Sequence, residues 1–277
     1  MINFMALKII FMGTPEFAVP ILEKIHKSNH KVLCVYTQTP NKRDRGQKIS
    51  ITPVHEISKK KKIDVKHPLN LDHDEYEYIK KLKPDVVVVV AYGKIIPAKI
   101  LELKDVQFLN IHASLLPKWR GAAPIQRAIM NLDKETGISI MKIVPKLDSG
   151  PIMMQSKIEI FESTTFEELS SKMSNLGAQM ILDSLNLIEK DKAKFFPQQE
   201  KNASYAKKIK KSEGKIDWKD NAKKIIAKIN ALTPNPGCWF ELNGIRIKII
   251  SAEMVKANGT PGEILNIILL SHVQKMQ

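Results

Sequence analysis

Three polar side chains in the sequence have the chemical types that transfer of an acyl group to an amine requires. Asn110 and His112 stand two residues apart at the end of an apolar run, and Asp148 lies in a short turn between two apolar segments. An amide and a protonated imidazole can donate hydrogen bonds to the negative charge that develops on an attacked carbonyl. A histidine also exchanges protons near neutral pH, and a neighbouring carboxylate orients its ring. Because no serine or cysteine lies in a recognised nucleophile motif, we expect direct transfer.

Each member of this trio also has a structural interpretation. A single histidine is more often structural, and an aspartate in a tight turn is typical of a turn former. The combination favours a site, because Asn110 and His112 directly precede a segment rich in glycine and proline. The motifs G-x-G-x-x-G, Walker loop and H-E-x-x-H are absent, as are clustered Cys and His residues. The sequence therefore predicts neither a nicotinamide cofactor, nor ATP, nor a metal.

The first part of the chain alternates strand-like and helix-like segments. Strands are expected at four apolar, β-branched runs: Lys8–Met12, Lys31–Tyr36, Asp85–Ala91 and Phe108–His112. Repeated β-α-β order predicts a doubly wound, Rossmann-like α/β domain over residues 1–190, with a parallel sheet and helices on both faces. Alternate side chains of a strand share one face, so Asn110 and His112 point the same way. They stand at the carboxyl end of a strand, where such folds bind ligands.

Two further elements complete this predicted domain. The segments Thr136–Val144 and Ile152–Ile160 alternate apolar and polar residues, which predicts a hairpin with Asp148 between its strands. A long helix is expected at Phe166–Lys190, because the capping run Ser163-Thr164-Thr165 precedes it and acidic residues occupy its first turn.

The remainder of the chain has a different composition. Residues 191–206 are polar and lack periodicity, which predicts a linker, and residues 207–277 predict a small β domain with a helix at Trp218–Leu232. Asn243-Gly244 between two β-branched runs is a hairpin signal, and Thr260–Leu265 predicts a further strand. With 277 residues, two domains are also the expectation from length.

Positive charge dominates the sequence, with a formal net charge of +15 at pH 7. The segment Tyr205–Lys228 alone holds nine lysines and three acidic residues. Such a surplus favours a polyanionic partner, because each neutralised phosphate releases counterions. A genome that encodes lysine wherever the surface tolerates it is the alternative explanation for the average charge.

Nothing in the sequence predicts a membrane or an export pathway. The longest apolar run, Val86–Ala91, is far too short to cross a bilayer, and no signal peptide is recognisable at the N-terminus. Cys34 and Cys238 lie far apart and match no metal or redox spacing, which suits a reducing compartment. We therefore expect a cytoplasmic protein without membrane partners.

Four sequence motifs carry a resemblance to a known family: Phe11–Ala18, Asn110–Pro117, Arg120–Gln126 and Asp148–Gly150. Together they resemble the methionyl-tRNA formyltransferases, and the match extends from about residue 7 to 265. The Asn-x-His pair with a downstream Asp is shared by the wider group of folate-dependent formyltransferases. The first and third motifs are narrower and indicate the enzymes that act on tRNA.

The resemblance implies that N10-formyltetrahydrofolate donates a formyl group to the amino group of methionyl-initiator tRNA. Asn110, His112 and Asp148 fall on the family's catalytic triad. Residues on the family's folate-contacting turn are Ser114, Leu115, Leu116 and Pro117. Residues expected along the pterin pocket are Ala91, Tyr92, Gly93, Ile95 and Ile96, although a simple strand exit would explain the first three equally well.

The resemblance also implies a mobile, basic loop after the second strand that enters the tRNA acceptor stem. Here residues 39–48 hold four basic residues and one acidic residue, and Arg43, Arg45 and Lys48 become candidate tRNA contacts. Lys207 and Lys208 in the later lysine-rich stretch are further candidates. We expect a monomer that binds the folate donor and the tRNA.

The C-terminal domain of the family resembles an oligonucleotide-binding (OB) β-barrel, and family members usually run further than this sequence does. We therefore expect a shortened, incomplete OB-like domain. Two alternatives remain open: a formyltransferase that acts on an amino sugar or another small amine, and a tRNA-binding remnant that has lost useful catalysis.

Overall fold

The computed structural model of the chain describes residues 6–43, 48–256 and 258–264. Its helices are α1 (Val19–His26), α2 (Pro53–Lys60), α3 (His73–Leu82), α4 (Ala98–Leu101), α5 (Pro124–Met130), α6 (Phe166–Glu189) and α7 (Ala222–Leu232). Its strands are β1 (Lys8–Gly13), β2 (Lys31–Tyr36), β3 (Asn41–Arg43), β4 (Lys48–Ser50), β5 (Val65–Lys66), β6 (Val86–Val90), β7 (Gln107–His112), β8 (Arg120–Gly121), β9 (Glu135–Lys142), β10 (Ile152–Glu159), β11 (Tyr205–Ala206), β12 (Cys238–Leu242) and β13 (Ile245–Ile249).

Seven of these strands form one sheet in the order β10-β9-β7-β6-β1-β2-β5. The five strands from β7 to β5 are parallel, which confirms the predicted doubly wound α/β arrangement. The predicted hairpin forms β9 and β10, and it extends the sheet because β9 pairs antiparallel with β7. The sheet is thus mostly parallel, with two antiparallel pairs at the β10 edge. The short connection between β9 and β10 explains their antiparallel pairing, because parallel neighbours need a long crossover.

The central strand β6 explains how the sheet is held between two layers of helices. Val86, Val88 and Val90 face the apolar cluster that contains α1, α5 and α6. Val87 and Val89 face the second cluster, to which α3 and α4 contribute. A strand buried on both faces needs apolar residues at every position, and the run of five valines satisfies this requirement.

The carboxyl ends of the central strands are joined by hydrogen bonds. From the adjacent strands β1 and β6 the chain continues to opposite sides of the sheet, which makes this position the topological switch point. The Thr14 hydroxyl and the Gln38 side-chain amide both donate to the Tyr92 carbonyl, at 2.9 and 3.2 Å. These bonds connect the exits of β1, β2 and β6. A switch point of this kind leaves a crevice at the carboxyl ends of the strands, and the Tyr92 carbonyl lies at its border.

The long helix α6 begins where the sequence predicts and ends one residue earlier, at Glu189. Thr165 and Glu168 form a reciprocal capping box at its start, with hydrogen bonds of 3.2 and 3.3 Å. Gly177 allows the helix to approach the sheet, because a Cβ atom there would lie 3.2 Å from the Ile111 side chain. No helix in the described part of the chain is long and apolar enough to cross a membrane.

The C-terminal region contains α7 and the two-stranded antiparallel ribbon β12–β13, with the predicted Asn243-Gly244 turn. Helix α7 starts four residues later than predicted, because the Asn221 side chain caps it by accepting from the Lys223 amide at 2.8 Å. The further strand predicted to begin at Thr260–Leu265 does not begin within the described residues 258–264. There, Thr260–Glu263 forms a hydrogen-bonded turn in which Gly262 has φ +85°. This small antiparallel region lies within residues 207–277, and an OB-like barrel there stays a prediction.

Candidate active site

Strand β7 presents Asn110 and His112 on one side, as the spacing predicts. Leu109 and Ile111 alternate with them and are buried in the core. His112 is also buried, with 5% of its surface exposed, whereas Asn110 is half-buried. Among the described residues, the Asn110 side-chain amide makes no hydrogen bond. An unpaired amide at the carboxyl edge of a sheet is available to a bound ligand.

The His112 ring lies between two oxygen acceptors. Its Nδ1 atom is 3.6 Å from Asp148 Oδ2, and its Nε2 atom is 2.9 Å from the Trp119 carbonyl oxygen. The first distance is a close contact beyond hydrogen-bond length, and the second has hydrogen-bond length. A ring that carries protons on both nitrogens would direct an N–H at each acceptor. The structure thus brings together His112 and Asp148, which are far apart in the sequence.

Asp148 is held in an unusual conformation by its neighbours. Its φ is +44°, a left-handed value that aspartate tolerates better than most residues. The Gly121 amide donates to Asp148 Oδ2 at 2.8 Å, which directs the carboxylate toward His112. Gly150 is required two residues later, because a Cβ atom there would lie 1.8 Å from the Lys142 carbonyl oxygen. Asp148 therefore combines the two roles that the sequence left open, a turn residue and a partner of His112.

The predicted folate-contacting turn is organised by a serine on β9. The Ser139 hydroxyl donates to the Ser114 carbonyl at 2.6 Å and accepts from the Leu116 amide at 3.0 Å. Gln155 donates to the same hydroxyl and to the Leu116 carbonyl, at 2.8 and 2.9 Å. The Leu116–Pro117 peptide bond is cis. Ser114 and Leu116 are buried, whereas Leu115 and Pro117 are partly exposed.

The other predicted folate-contacting residues lie where β6 ends, at the same edge of the sheet. Ala91 and Gly93 have left-handed φ values of +46° and +78° and are exposed. The Tyr92 side chain is buried in the core, and burial raises the pKa of its hydroxyl to about 12. Ile95 is 92% exposed, and Ile96 is 8% exposed. The contribution of these residues to folate binding stays a prediction.

The candidate tRNA contacts are divided among different parts of the chain. Arg43 and Lys48 belong to the paired strands β3 and β4, and Arg45, between them, lies outside the described residues. Lys207 and Lys208 are exposed and line an open cavity of about 470 Å³. The other residues that line this cavity are Arg127, Tyr205, Lys210 and Glu213. Arg127 pairs with Glu213 at 2.6 Å, so the lysines are the cationic groups of this surface that are exposed to solvent.

Sequence reasoning missed a group of side chains that support the candidate site. Arg120 is fully buried and contacts Gln198 and Glu200, both in the segment predicted as a linker. Ser204, in the same segment, accepts from the Trp119 amide at 2.9 Å, and β11 pairs with β8. The sequence shows Arg120 directly before Gly121, a few residues after the turn at Ser114–Pro117. No local pattern identifies the residues that contact the guanidinium. Within the described ranges, no cluster of His, Cys, Asp and Glu could hold a metal ion.

Comparison with known proteins identifies the family. The chain matches the family model described as formyl transferase over residues 7–185, and the formyl transferase C-terminal domain over residues 208–269. It is 50% identical to the methionyl-tRNA formyltransferase of Pelagibacter ubique over 95% of this chain and 85% of that protein. It is 42% identical to the methionyl-tRNA formyltransferase of Paramagnetospirillum magneticum, over 94% and 86% of the two chains.

A solved structure shares the fold at lower sequence identity. The N-formyltransferase from Helicobacter canadensis, in complex with folinic acid and dTDP-3-aminofucose, aligns with a TM-score of 0.68 and 24% identity. The alignment covers 89% of this chain and 87% of that one. With the family model and the two relatives, the chain belongs to the methionyl-tRNA formyltransferase family.

Proposed function

We propose that the protein transfers the formyl group of N10-formyltetrahydrofolate to the amino group of methionyl-initiator tRNA. The observation that carries the proposal is the unpaired Asn110 amide beside the His112–Asp148 pair, at the carboxyl edge of the sheet. The chain has this arrangement and is 50% identical to a methionyl-tRNA formyltransferase. The reaction would serve translation initiation in the cytoplasm, with the protein acting as a monomer.

The residues at this edge fit a folate donor. Asn110 offers both a donor and an acceptor that the described protein leaves unpaired. The turn at Ser114–Pro117 would contact the donor, with Leu115 partly exposed on it. The exit of β6 at Ala91–Gly93 would border the pterin ring. The related N-formyltransferase from Helicobacter canadensis was solved with folinic acid, a folate, which supports this assignment.

The proposed mechanism divides the chemistry among three side chains. The Asn110 amide would donate to the formyl oxygen, where negative charge develops as the amine attacks. His112 keeps Nδ1 toward Asp148, and its Nε2 would exchange the Trp119 carbonyl for the reacting groups, donating to the same oxygen and moving a proton from the attacking amine to the departing nitrogen. Asp148 would hold the ring in its orientation and balance its positive charge. The transfer is direct, so no side chain of this protein carries the formyl group.

The tRNA would bind across the basic surface of the chain. The cavity at Lys207 and Lys208 begins directly after β11, which pairs with β8, and the Gly121 amide of β8 donates to Asp148. Phosphate groups at this surface would place the acceptor end of the tRNA near the crevice. Arg43, Arg45 and Lys48 would add a second group of phosphate contacts. The net charge of +15 favours association with a polyanion of this kind.

Formyl transfer measured with labelled N10-formyltetrahydrofolate and charged initiator tRNA tests the proposal, at low and moderate salt. Transfer to the methionyl-tRNA with turnover supports it. Transfer to a nucleotide-linked amino sugar, with none to tRNA, would indicate a sugar formyltransferase instead. Salt-dependent tRNA binding without any formyl transfer would indicate a remnant that has kept only the binding function.

Replacing Asp148 with asparagine is expected to lower kcat by about tenfold or more and to leave the fold intact. The new amide can still accept from the Gly121 amide through its oxygen, but it has no charge to set against the His112 ring. Steady-state kinetics and thermal melting measure the two effects. A wild-type kcat in this variant would reduce Asp148 to a turn residue.

Replacing Lys207 and Lys208 together with glutamine is expected to raise the KM for tRNA and leave kcat close to that of the wild type. If each lysine neutralises one phosphate, the association constant for tRNA should depend less steeply on salt. The magnitude of the slope of its logarithm against log salt concentration should fall by about 2. The matched control replaces Lys24, in the last turn of α1, and Lys27, directly after that helix, with glutamine; both are exposed, so the same charge is removed. Helix α1 runs from the carboxyl to the amino edge of the sheet, so its last turn lies away from the site. Equal salt slopes for both pairs would reject a specific contact.

A further inference from the structure

A buried arginine on strand β8 depends on side chains from the segment that precedes the C-terminal domain. Arg120 is 0% exposed, and it donates to Gln198 Oε1 from Nε at 3.1 Å and from Nη2 at 2.7 Å. It also donates to Glu200, from Nη1 at 3.2 Å and from Nη2 at 2.9 Å. A buried guanidinium needs acceptors of this kind, because an unpaired buried charge is costly.

The contact with Arg120 lowers the pKa of Glu200, so the carboxylate stays ionised further into the acid range. Hydrogen bonds from Arg120 and Lys146 hold the pKa of the Glu200 carboxyl at about 2. Its side chain is nevertheless 56% exposed, so water screens its attraction to the guanidinium. Gln198 is therefore the less exposed partner of Arg120, and it also contacts the turn at Asp148–Gly150.

The opposite end of Gln198 holds the turn that carries Asp148. Its Nε2 atom donates to the Asp148 carbonyl at 2.9 Å and to the Gly150 carbonyl at 2.8 Å. A side-chain amide has two acceptor positions and two donor hydrogens, and Gln198 uses all four here. The arrangement restrains the backbone of Asp148, whose φ of +44° lies in a sparsely populated region.

Two connections to Asp148 thus begin in the same short segment. Gln198 bonds to its backbone, and β11 pairs with β8, which supplies the Gly121 amide to its carboxylate. Both would move if this segment moved. The segment also continues directly into Lys207, on the basic surface described above.

We propose that Gln198 is a positioning residue for formyl transfer, which holds Asp148 against His112 and makes the segment between the two matched family regions part of the active site. The inference rests on the proposed function of the site. Gln198 is not itself a catalytic residue, because its hydrogen bonds all go to the protein, including a weak one to Met141 Sδ at 3.9 Å. A carboxylate displaced by about 1 Å from its partner can lower a catalytic rate by up to about 100-fold.

The test replaces Gln198 with alanine and compares kcat with the KM for tRNA. We expect kcat to fall by about tenfold or more, with the KM for tRNA changed less than about twofold. The matched control is Gln199→Ala, since Gln199 is exposed and bonds only to Asn202 in the same turn. A purely structural role would lower the melting temperature and leave kcat per folded molecule unchanged, which would overturn the proposal.

Gln198→Glu separates the two ends of the side chain. Its oxygens still accept from Arg120, and its added charge faces the guanidinium, so this variant keeps the buried arginine paired. It no longer donates to the Asp148 and Gly150 carbonyls. We expect kcat to fall as it does in the alanine variant. A wild-type kcat in Gln198→Glu would show that pairing Arg120 is sufficient, and it would overturn the role at Asp148.

A double-mutant cycle with Asp148→Asn decides whether the effect passes through Asp148. If it does, adding Gln198→Ala to the Asp148→Asn variant lowers kcat by less than about twofold further, because coupled residues are not additive. A further loss equal to that in the wild-type background would reject the coupling. The wild type is assayed in parallel: an inactive wild type removes the proposed function itself, whereas an active wild type with an unchanged Gln198→Ala variant removes the positioning role alone.

Discussion

Replacing His112 with alanine is expected to lower kcat by about 100-fold or more, because proton transfer by a positioned side chain typically contributes about 10²- to 10⁴-fold. The ring lies between the Asp148 carboxylate and the Trp119 carbonyl, and no other ring in the described residues contacts this carboxylate. The variant should still bind the folate donor, since the turn at Ser114–Pro117 is held by Ser139 rather than by His112.

Single-turnover formyl transfer and donor binding, measured on the same preparation, check this expectation. The matched control is His26→Ala, because His26 is exposed on α1 and makes no contact with the site. Asp148 keeps its hydrogen bond from the Gly121 amide in the His112 variant, so a large change in folding is not expected. Unchanged turnover would remove His112 from the mechanism. Lost donor binding would assign the ring to binding instead.

The position of Asn110 and His112 could be predicted from the sequence because the signal is local. An apolar run, a period of two and a following Gly- and Pro-rich segment determine the strand, the shared face and the strand end. The same local rules predicted β6 as a buried strand from five consecutive valines. They also predicted α6 from its capping residues, where Thr165 caps the helix as expected.

The hydrogen bonds that hold Asp148 could not be predicted from local patterns. Gln198 lies 78 residues from Arg120 in the sequence, and no pattern connects them. A polar, aperiodic segment such as residues 191–206 is typical of a linker, because composition does not distinguish a side chain that bonds to a buried arginine from one that bonds to water. Long-range backbone pairing brings the two together: β11 pairs with β8, and Phe196 pairs with Ile152.

The further strand predicted to begin at Thr260–Leu265 does not begin within the described residues 258–264. Pro261-Gly262 has the composition of a turn, which competes with a strand start. In the structure the turn is formed, and the Glu263 carboxylate accepts from the Thr260 amide at 2.8 Å. A local side-chain contact of this kind competes with strand pairing, and periodicity does not reveal it.

Replacing Asn110 with alanine is expected to lower kcat by about 100- to 1000-fold, the loss typical of removing one donor to a developing oxyanion. The Asn110 amide has no hydrogen-bond partner in the described protein, so its removal leaves no buried group unsatisfied and the melting temperature should change little. Asn175→Ala on the exposed face of α6 is the matched control, because it removes the same side chain away from the crevice.

The ratio of kcat to KM in this variant determines what Asn110 does. A donor that acts only on the developing charge lowers kcat and leaves the KM for the folate donor nearly constant. A residue that binds the ground state and the transition state equally raises KM and leaves kcat unchanged. Asn110→Asp provides a second measurement, because it keeps the shape but places a negative charge where the oxyanion forms. If Asn110 stabilises that charge, the aspartate variant should be at least as slow as the alanine variant, and a faster one would reject the assignment.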